Sequence, residues 1–217
     1  MNKNLIFVLI IVILIIGGIF IYKCLTKKEE IPSEKTMPKS LEGKKIVMII
    51  AFRDFRDPEY FEPKEILEKT GAEIKTASNK MGTAIGADGG DTKVDLLVSE
   101  INPVDFSTVV FIGGPGALEA LDNEDSYKVA RETVSQNKIL ASICISPVIL
   151  AKTGVLEGKK ATVWSSPLDR SPVRILKENG AIYQDASVVV DGKIITANGP
   201  GAAREFGETI VAVLTKE

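Results

Sequence analysis

Ile139-Leu-Ala-Ser-Ile-Cys-Ile-Ser-Pro-Val-Ile-Leu150 is an apolar run that changes character at one residue, Cys144. Before it, Lys138 to Ile143 reads as a strand, because a short unbroken apolar stretch suits a parallel sheet covered on both faces. After it, Ser146 to Lys152 reads as a helix, with Pro147 in the first turn, where its missing N–H would have had no partner anyway. A strand that turns directly into a helix crowds the backbone, so small side chains are needed two residues to either side. Ser142 and Ser146 supply them. The pattern predicts a cysteine presented on a sharp turn, where the positive end of the helix lowers the thiol pKa and favours thiolate. The competing reading is a buried cysteine packed like a small apolar residue, the common fate of a free thiol.

Outward from that turn, strand and helix patterns alternate. Lys45 to Ala51 and Thr108 to Ile112 are further buried strands, and Ala72 to Ala77 alternates as another. Met81 to Ala87 and Val94 to Val98 read as short strands around the Asp88-Gly89-Gly90-Asp91 turn. Helical spacing runs from Pro58 to Thr70, closed by Gly71, then over Glu124 to Gln136, Leu168 to Asn179 and Ala202 to Leu214. Ala161 to Trp164 is a strand, and Ser187 to Ala197 a hairpin through Asp191-Gly192. Repeated alternation predicts an α/β domain, a three-layer sandwich with a mostly parallel sheet, over residues 43–217.

The segment before that domain is of another kind. Leu5 to Tyr22 carries no charge, and at 1.5 Å per residue it reaches about 27 Å, close to a hydrocarbon core. It ends in Ile21-Tyr22-Lys23-Cys24, which is neither a small-residue cleavage site nor a lipidation box, so an uncleaved transmembrane anchor is predicted. Tyr22 and Lys23 suit the lipid–water interface. Residues 1–4 form a short flank. Residues 23–42, rich in Lys, Glu and Pro, read as a solvated tether. Lys23, Lys27, Lys28, Lys35 and Lys39 outnumber the single Lys3 on the other flank, which tilts the domain toward the cytoplasmic side of the cell membrane. The partner implied is a lipid bilayer; Cys24 reads as an inert interfacial thiol.

Composition excludes several classes of function. The 217 residues carry 27 basic and 29 acidic side chains, with no basic run, so no nucleic-acid partner is expected. Two cysteines in unlike contexts make no disulfide framework and no four-Cys metal site. Histidine is absent altogether, which rules out a Ser-His-Asp or Cys-His pair within the chain and any His-ligated metal. Acid–base chemistry must therefore run on carboxylates, Lys, Tyr, Cys or water. Asp88, Asp91 and Asp95 lack a full calcium-loop pattern and read better as a solvated hairpin, so no metal and no cofactor is predicted.

Two further segments bear on Cys144. Phe111-Ile-Gly-Gly-Pro-Gly-Ala117 places glycines at the carboxyl end of a strand, where open α/β sheets bind ligands. Its spacing is not that of a dinucleotide fingerprint, and a tight turn alone would account for it. The N–H groups of Gly114 and Ile145 could together form an oxyanion hole. Arg53-Asp-Phe-Arg-Asp-Pro-Glu-Tyr-Phe-Glu62 reads first as a helix start, with Asp57 as cap and Pro58 behind it. The sharper alternative makes Glu59 a buried carboxyl aimed at the thiol.

Taken in order, Phe55-Arg-Asp-Pro-Glu-Tyr-Phe-Glu-Pro63, Ile112-Gly-Gly-Pro-Gly-Ala117, Ala141-Ser-Ile-Cys-Ile-Ser-Pro147 and Ala197-Asn-Gly-Pro-Gly-Ala202 resemble the motifs of the ThiJ/PfpI superfamily. That superfamily includes intracellular proteases and the parkinsonism-associated deglycase. The resemblance covers Gly43 to Leu214 and implies a flavodoxin-like fold, Glu59 and Cys144 as the catalytic pair, and a homodimer. It departs where protease-like members carry a histidine after the cysteine, here Ile145, and where deglycase-like members carry one before the proline, here Ser166. Without imidazole to protonate a leaving amine, the resemblance implies a Cys–Glu site for a small-molecule carbonyl substrate, of glyoxalase or deglycase type, rather than a peptidase. A redox-sensing cysteine and a non-catalytic interaction domain are the alternatives.

Overall fold

The computed structural model describes residues 40–216. The predicted anchor over 5–22, its flank 1–4 and the tether up to residue 39 lie outside the described residues. Among the described residues no helix is long and apolar enough to cross a membrane. The folded body begins earlier than the predicted boundary at Gly43. Leu41 is 1% exposed, and its N–H donates to the carbonyl of Thr70 at 2.6 Å. An apolar side chain at the end of a charged tether had a core to join.

The central sheet uses β1 (Lys45–Ile50), β3 (Glu73–Ser78), β6 (Leu96–Leu97), β7 (Thr108–Phe111), β8 (Ile139–Ile143), β11 (Val188–Asp191) and β12 (Ile194–Ala197). They lie in the order β11-β12-β8-β7-β1-β3-β6. All neighbours are parallel except β11 and β12, an antiparallel hairpin on the edge. Chain order along the core strands β3-β1-β7-β8-β12 is thus the doubly wound 2-1-3-4-5, which reverses direction between β1 and β7. In the hairpin Asp191 faces Ile194, so the two turn residues are Gly192 and Lys193 rather than Asp191 and Gly192.

Each strand of this sheet has two buried faces. From β1, Ile46, Met48 and Ile50 pack with Tyr60 and Leu67 of α1 (Asp57–Lys69), the first described helix. Phe206, Ile210 and Leu214 of the last helix (Ala203–Leu214) join the same cluster. Val47 and Ile49 point the other way, with Leu121 of α2 (Ala117–Leu121), Val129 of α3 (Glu124–Ser135), Val148 of α4 (Pro147–Lys152) and Leu176 of α5 (Ser171–Glu178). The last helix is therefore α6, and the layers are helices, sheet, helices. Side chains alternating across a strand feed two cores at once, which is why β1 and β8 read as unbroken apolar runs.

Outside the sheet, β2 (Arg53–Phe55), β4 (Thr83–Gly86) and β5 (Asp91–Lys93) form a small separate sheet, and β9 (Lys160–Ala161) pairs only with β10 (Ile182–Tyr183). The strand expected as far as Trp164 stops at Ala161. Side chains take over there: Thr162 N–H donates to the Thr196 hydroxyl at 2.9 Å, and the Thr162 hydroxyl donates to the Ala186 carbonyl at 2.9 Å. Helix α5 begins at Ser171 rather than Leu168, because Ser166 and Asp169 close a turn on each other first.

Candidate active site

Three loops meet beyond the carboxyl ends of β1, β7 and β8, beside the point where the strand order reverses. That is where open α/β sheets leave a crevice. The loop after β8 is the predicted turn. Cys144 has φ 65°, the left-handed region that side chains rarely adopt. Its N–H donates to the Ala197 carbonyl at 2.9 Å, and its own carbonyl accepts from Trp164 N–H at 2.8 Å. Both backbone groups are thus tied to neighbouring segments, which holds the strained conformation in place. Ser142 and Ser146 are fully buried on either side, and the Ser146 hydroxyl donates to the Ile112 carbonyl at 2.8 Å.

The loop after β7 comes in against that turn. At Gly113 an added Cβ would lie 2.5 Å from Cys144 Cβ and 2.7 Å from Glu59 Oε2, so only glycine fits between acid and thiol. Gly114 has φ 117°, and its Cβ would meet the Arg56 nitrogen at 2.4 Å. Arg56 N–H donates to the Gly113 carbonyl at 3.1 Å, and Gly116 N–H to the Asp54 carbonyl at 3.1 Å. The glycines are there because two backbones pass in contact.

The third loop carries the acid. Glu59 sits in the first turn of α1 with 0% exposure, and both carboxyl oxygens are sealed from solvent without a close hydrogen-bond partner. The Cys144 thiol and the Gly113 N–H are polar groups that act on it, from beyond ordinary bonding geometry. Burial pushes its pKa from 4.5 up to about 7, against the pull of the thiol contact, the Arg56 charge and that N–H. Asp57 is not the helix cap. Arg56 holds the cap position without a side-chain bond, and the Asp57 carboxylate instead accepts the N–H groups of Asp88 at 2.8 Å and Gly90 at 2.6 Å. The Asp88–Asp91 turn is therefore bound to the site rather than merely solvated. Asp88 reaches on to Arg56 at 3.0 Å. Among the described residues no three metal-ligating side chains converge.

The thiol departs from expectation. Cys144 is 8% exposed, and burial pushes its pKa well above the ordinary range, with the charge of the neighbouring Glu59 carboxyl adding to the rise. The N–H groups of Gly114 and Ile145 pull the other way without offsetting it. Helix α4, six residues long, is too short and too apolar in its setting to supply the stabilisation expected of a helix end. Acid and thiol are a coupled pair whose protons come off in steps belonging to both. Near neutral pH the first proton leaves Glu59, and the thiol keeps its own.

Cys144 opens onto a cleft of about 280 Å³ lined by Arg56, Gly114, Pro115, Leu118, Ile145, Trp164 and Pro200. Residues 44–213 match the model of the DJ-1/PfpI family. The chain belongs to the DJ-1/PfpI family.

An uncharacterized protein of Methanocaldococcus jannaschii is 37% identical over 206 residues, 94% of this chain and 96% of that protein. A match of that extent takes in part of the segment before Ser40. A deglycase of Pyrococcus horikoshii is 34% identical over 154 residues, 71% of this chain and 90% of its own. Among solved structures, a ThiJ/PfpI domain protein from Brachyspira murdochii superposes with a TM-score of 0.76 at 36% identity, covering 81% of this chain and 99% of that one. In this DJ-1/PfpI member Ser166, where deglycase-like members carry a histidine, is engaged by its own turn. Its hydroxyl accepts the Asp169 N–H at 3.0 Å and closes the turn before α5. Sequence reasoning brought Cys144, Glu59, Gly114 and Ile145 together, as the structure does, but passed over Arg56, Trp164 and Pro200. The signals for these were present: a cation inside the acid loop, the one tryptophan, and a proline in the last glycine turn.

Proposed function

We propose that the protein is a cysteine-dependent enzyme of glyoxalase or deglycase type, acting on small reactive carbonyls and held at a membrane by residues 5–22, with the domain on the cytoplasmic side as a homodimer. The observation that carries the chemistry is the sealed Glu59 carboxyl beside Cys144, with a pKa of about 7, at the mouth of a small cleft. A base that ionises near working pH suits proton transfer. The Glu59 carboxylate takes the thiol proton as sulfur adds to the aldehyde carbon of a 2-oxoaldehyde. A hemithioacetal forms, its oxygen facing the N–H groups of Gly114 and Ile145. Glu59 then carries a proton from the first carbon to the second, which leaves a thioester of a 2-hydroxy acid. Water releases the acid and returns the thiol. Peptide hydrolysis is disfavoured, because no imidazole exists to protonate the leaving amine. The similarity to a deglycase of Pyrococcus horikoshii supports the same class.

A second reading has its own support. A carboxyl that keeps a proton near pH 7 can donate it to an oxidised Cys144, as a peroxide-sensing sulfinic acid requires. Incubation of the purified chain with methylglyoxal decides. Lactate formation that Cys144→Ala and Glu59→Gln each cut by about a hundredfold or more supports the enzyme. Equal lactate from wild type and Cys144→Ala would end it, and mass gain at Cys144 in mild peroxide would then favour the sensor.

A further inference from the structure

The proton chemistry above uses the acid behind the thiol and makes no use of the cation in front of it. Among the described residues, Arg56 is the only charged side chain lining the cleft. The other polar groups at the sulfur, the N–H groups of Gly114 and Ile145, are also donors. Pro115, Leu118 and Pro200 offer no side-chain acceptor, and Trp164 can only donate. Glu59 is fully buried behind Cys144. Every polar group the cleft wall presents through its side chains or at the sulfur thus favours an anion.

Arg56 is not used up by its ion pair. Asp88 bonds through both oxygens to Nη1 alone, at 3.0 and 3.3 Å, and is itself 51% exposed. Nη2 and Nε take no partner among the described residues. Asp88, itself fixed by Asp57 through its N–H, holds the guanidinium beside the cleft and leaves the Nη2–Nε edge, three of the five N–H donors, unspent. That fork matches the two oxygens of a carboxylate. The cleft, at about 280 Å³, has the share of liquid volume of roughly nine waters, more than a three-carbon aldehyde fills.

We infer that Arg56 makes this cleft select 2-oxoaldehydes that carry a carboxylate at the end remote from the aldehyde. The inference rests on the thiol reading of Cys144. The reacting head sits at the sulfur, and the acidic tail pairs with the free edge of the guanidinium. Arg56 acts here as a specificity-determining residue for binding and takes no part in the proton transfer.

Steady-state kinetics of the full-length chain on two probes test this. Methylglyoxal and 4,5-dioxovalerate share the same reactive head, and only the second bears a carboxylate; their products are lactate and 2-hydroxyglutarate. The acidic probe is expected to have the higher kcat/KM by about tenfold or more, mainly through a lower KM. Arg56→Met should shrink that preference by about tenfold, and Arg56→Lys, which keeps the charge but not the fork, should keep part of it. Equal kcat/KM for both probes in the wild type, or a ratio that neither variant moves, overturns the inference while leaving the thiol chemistry standing. No turnover of either probe removes both together.

Discussion

Cys144 holds a left-handed backbone conformation that costs a non-glycine residue about 1–3 kcal/mol, and the hydrogen bonds from its N–H and to its carbonyl oppose its relaxation. Beside it, Glu59 stores a second cost, of electrostatic origin. In the unfolded chain its carboxyl ionises at the ordinary 4.5, and in the folded chain at about 7. Between those values the unfolded state binds fewer protons, so stability falls as pH rises from 4.5 to 7 and levels off above. The loss is on the order of 3 kcal/mol, shared with the coupled thiol. Glu59→Gln removes the ionisation, so it should be the more stable protein at pH 8 and lose its advantage below pH 5. Thermal melts across that range check it, and a constant gap between the two proteins would refute the assignment. Alkylation of Cys144 by iodoacetamide should show the same titration, rising through about pH 7 in the wild type only. The acid therefore destabilises the fold at the pH where it can act as a base.

At the scale of elements, the site is made by close approach. Strands β7 and β8 deliver Gly113 and Cys144 side by side, and α1 brings Glu59 over the gap between them. Gly113→Ala would place a methyl group within 2.9 Å of the Ile143 carbonyl and nearer still to acid and thiol. Overpacking of this kind costs about 1–3 kcal/mol, a fall in Tm of several degrees for a chain this size, and it should abolish turnover by parting the pair. Gly201→Ala, in the last glycine turn, has open space around it and should change stability by less than about 0.5 kcal/mol. A Gly113→Ala protein that melts and reacts like wild type would show that the contact is not needed. The glycine loop was legible as a turn at the end of a strand, because glycine runs are rare inside buried elements. That it is clamped onto Arg53–Arg56 was not legible, since sixty intervening residues hide which backbones touch. Asp57 illustrates the same gap. Its position before Pro58 fits a helix cap, yet its carboxylate binds a turn thirty residues away.

For the whole molecule, the described residues 40–216 build two cores, one on either face of the sheet. The charge-free run from Leu5 to Tyr22 should hold the full chain in the membrane fraction through alkaline carbonate, released only by detergent, whereas a chain beginning at Ser40 stays in the supernatant. Full-length protein in the carbonate supernatant would refute the anchor. The sequence by itself determined the α/β class, the parallel strands, the turn at Cys144 and the absence of imidazole, because periodicity, backbone restriction and composition are local properties of the chain. Only the tertiary structure decided that Glu59 is sealed against the thiol, that burial raises both of their pKa values where a helix end was expected to lower one, and that Arg56 faces the cleft. Desolvation and charge pairing depend on which distant segments meet, and no local pattern carries that information.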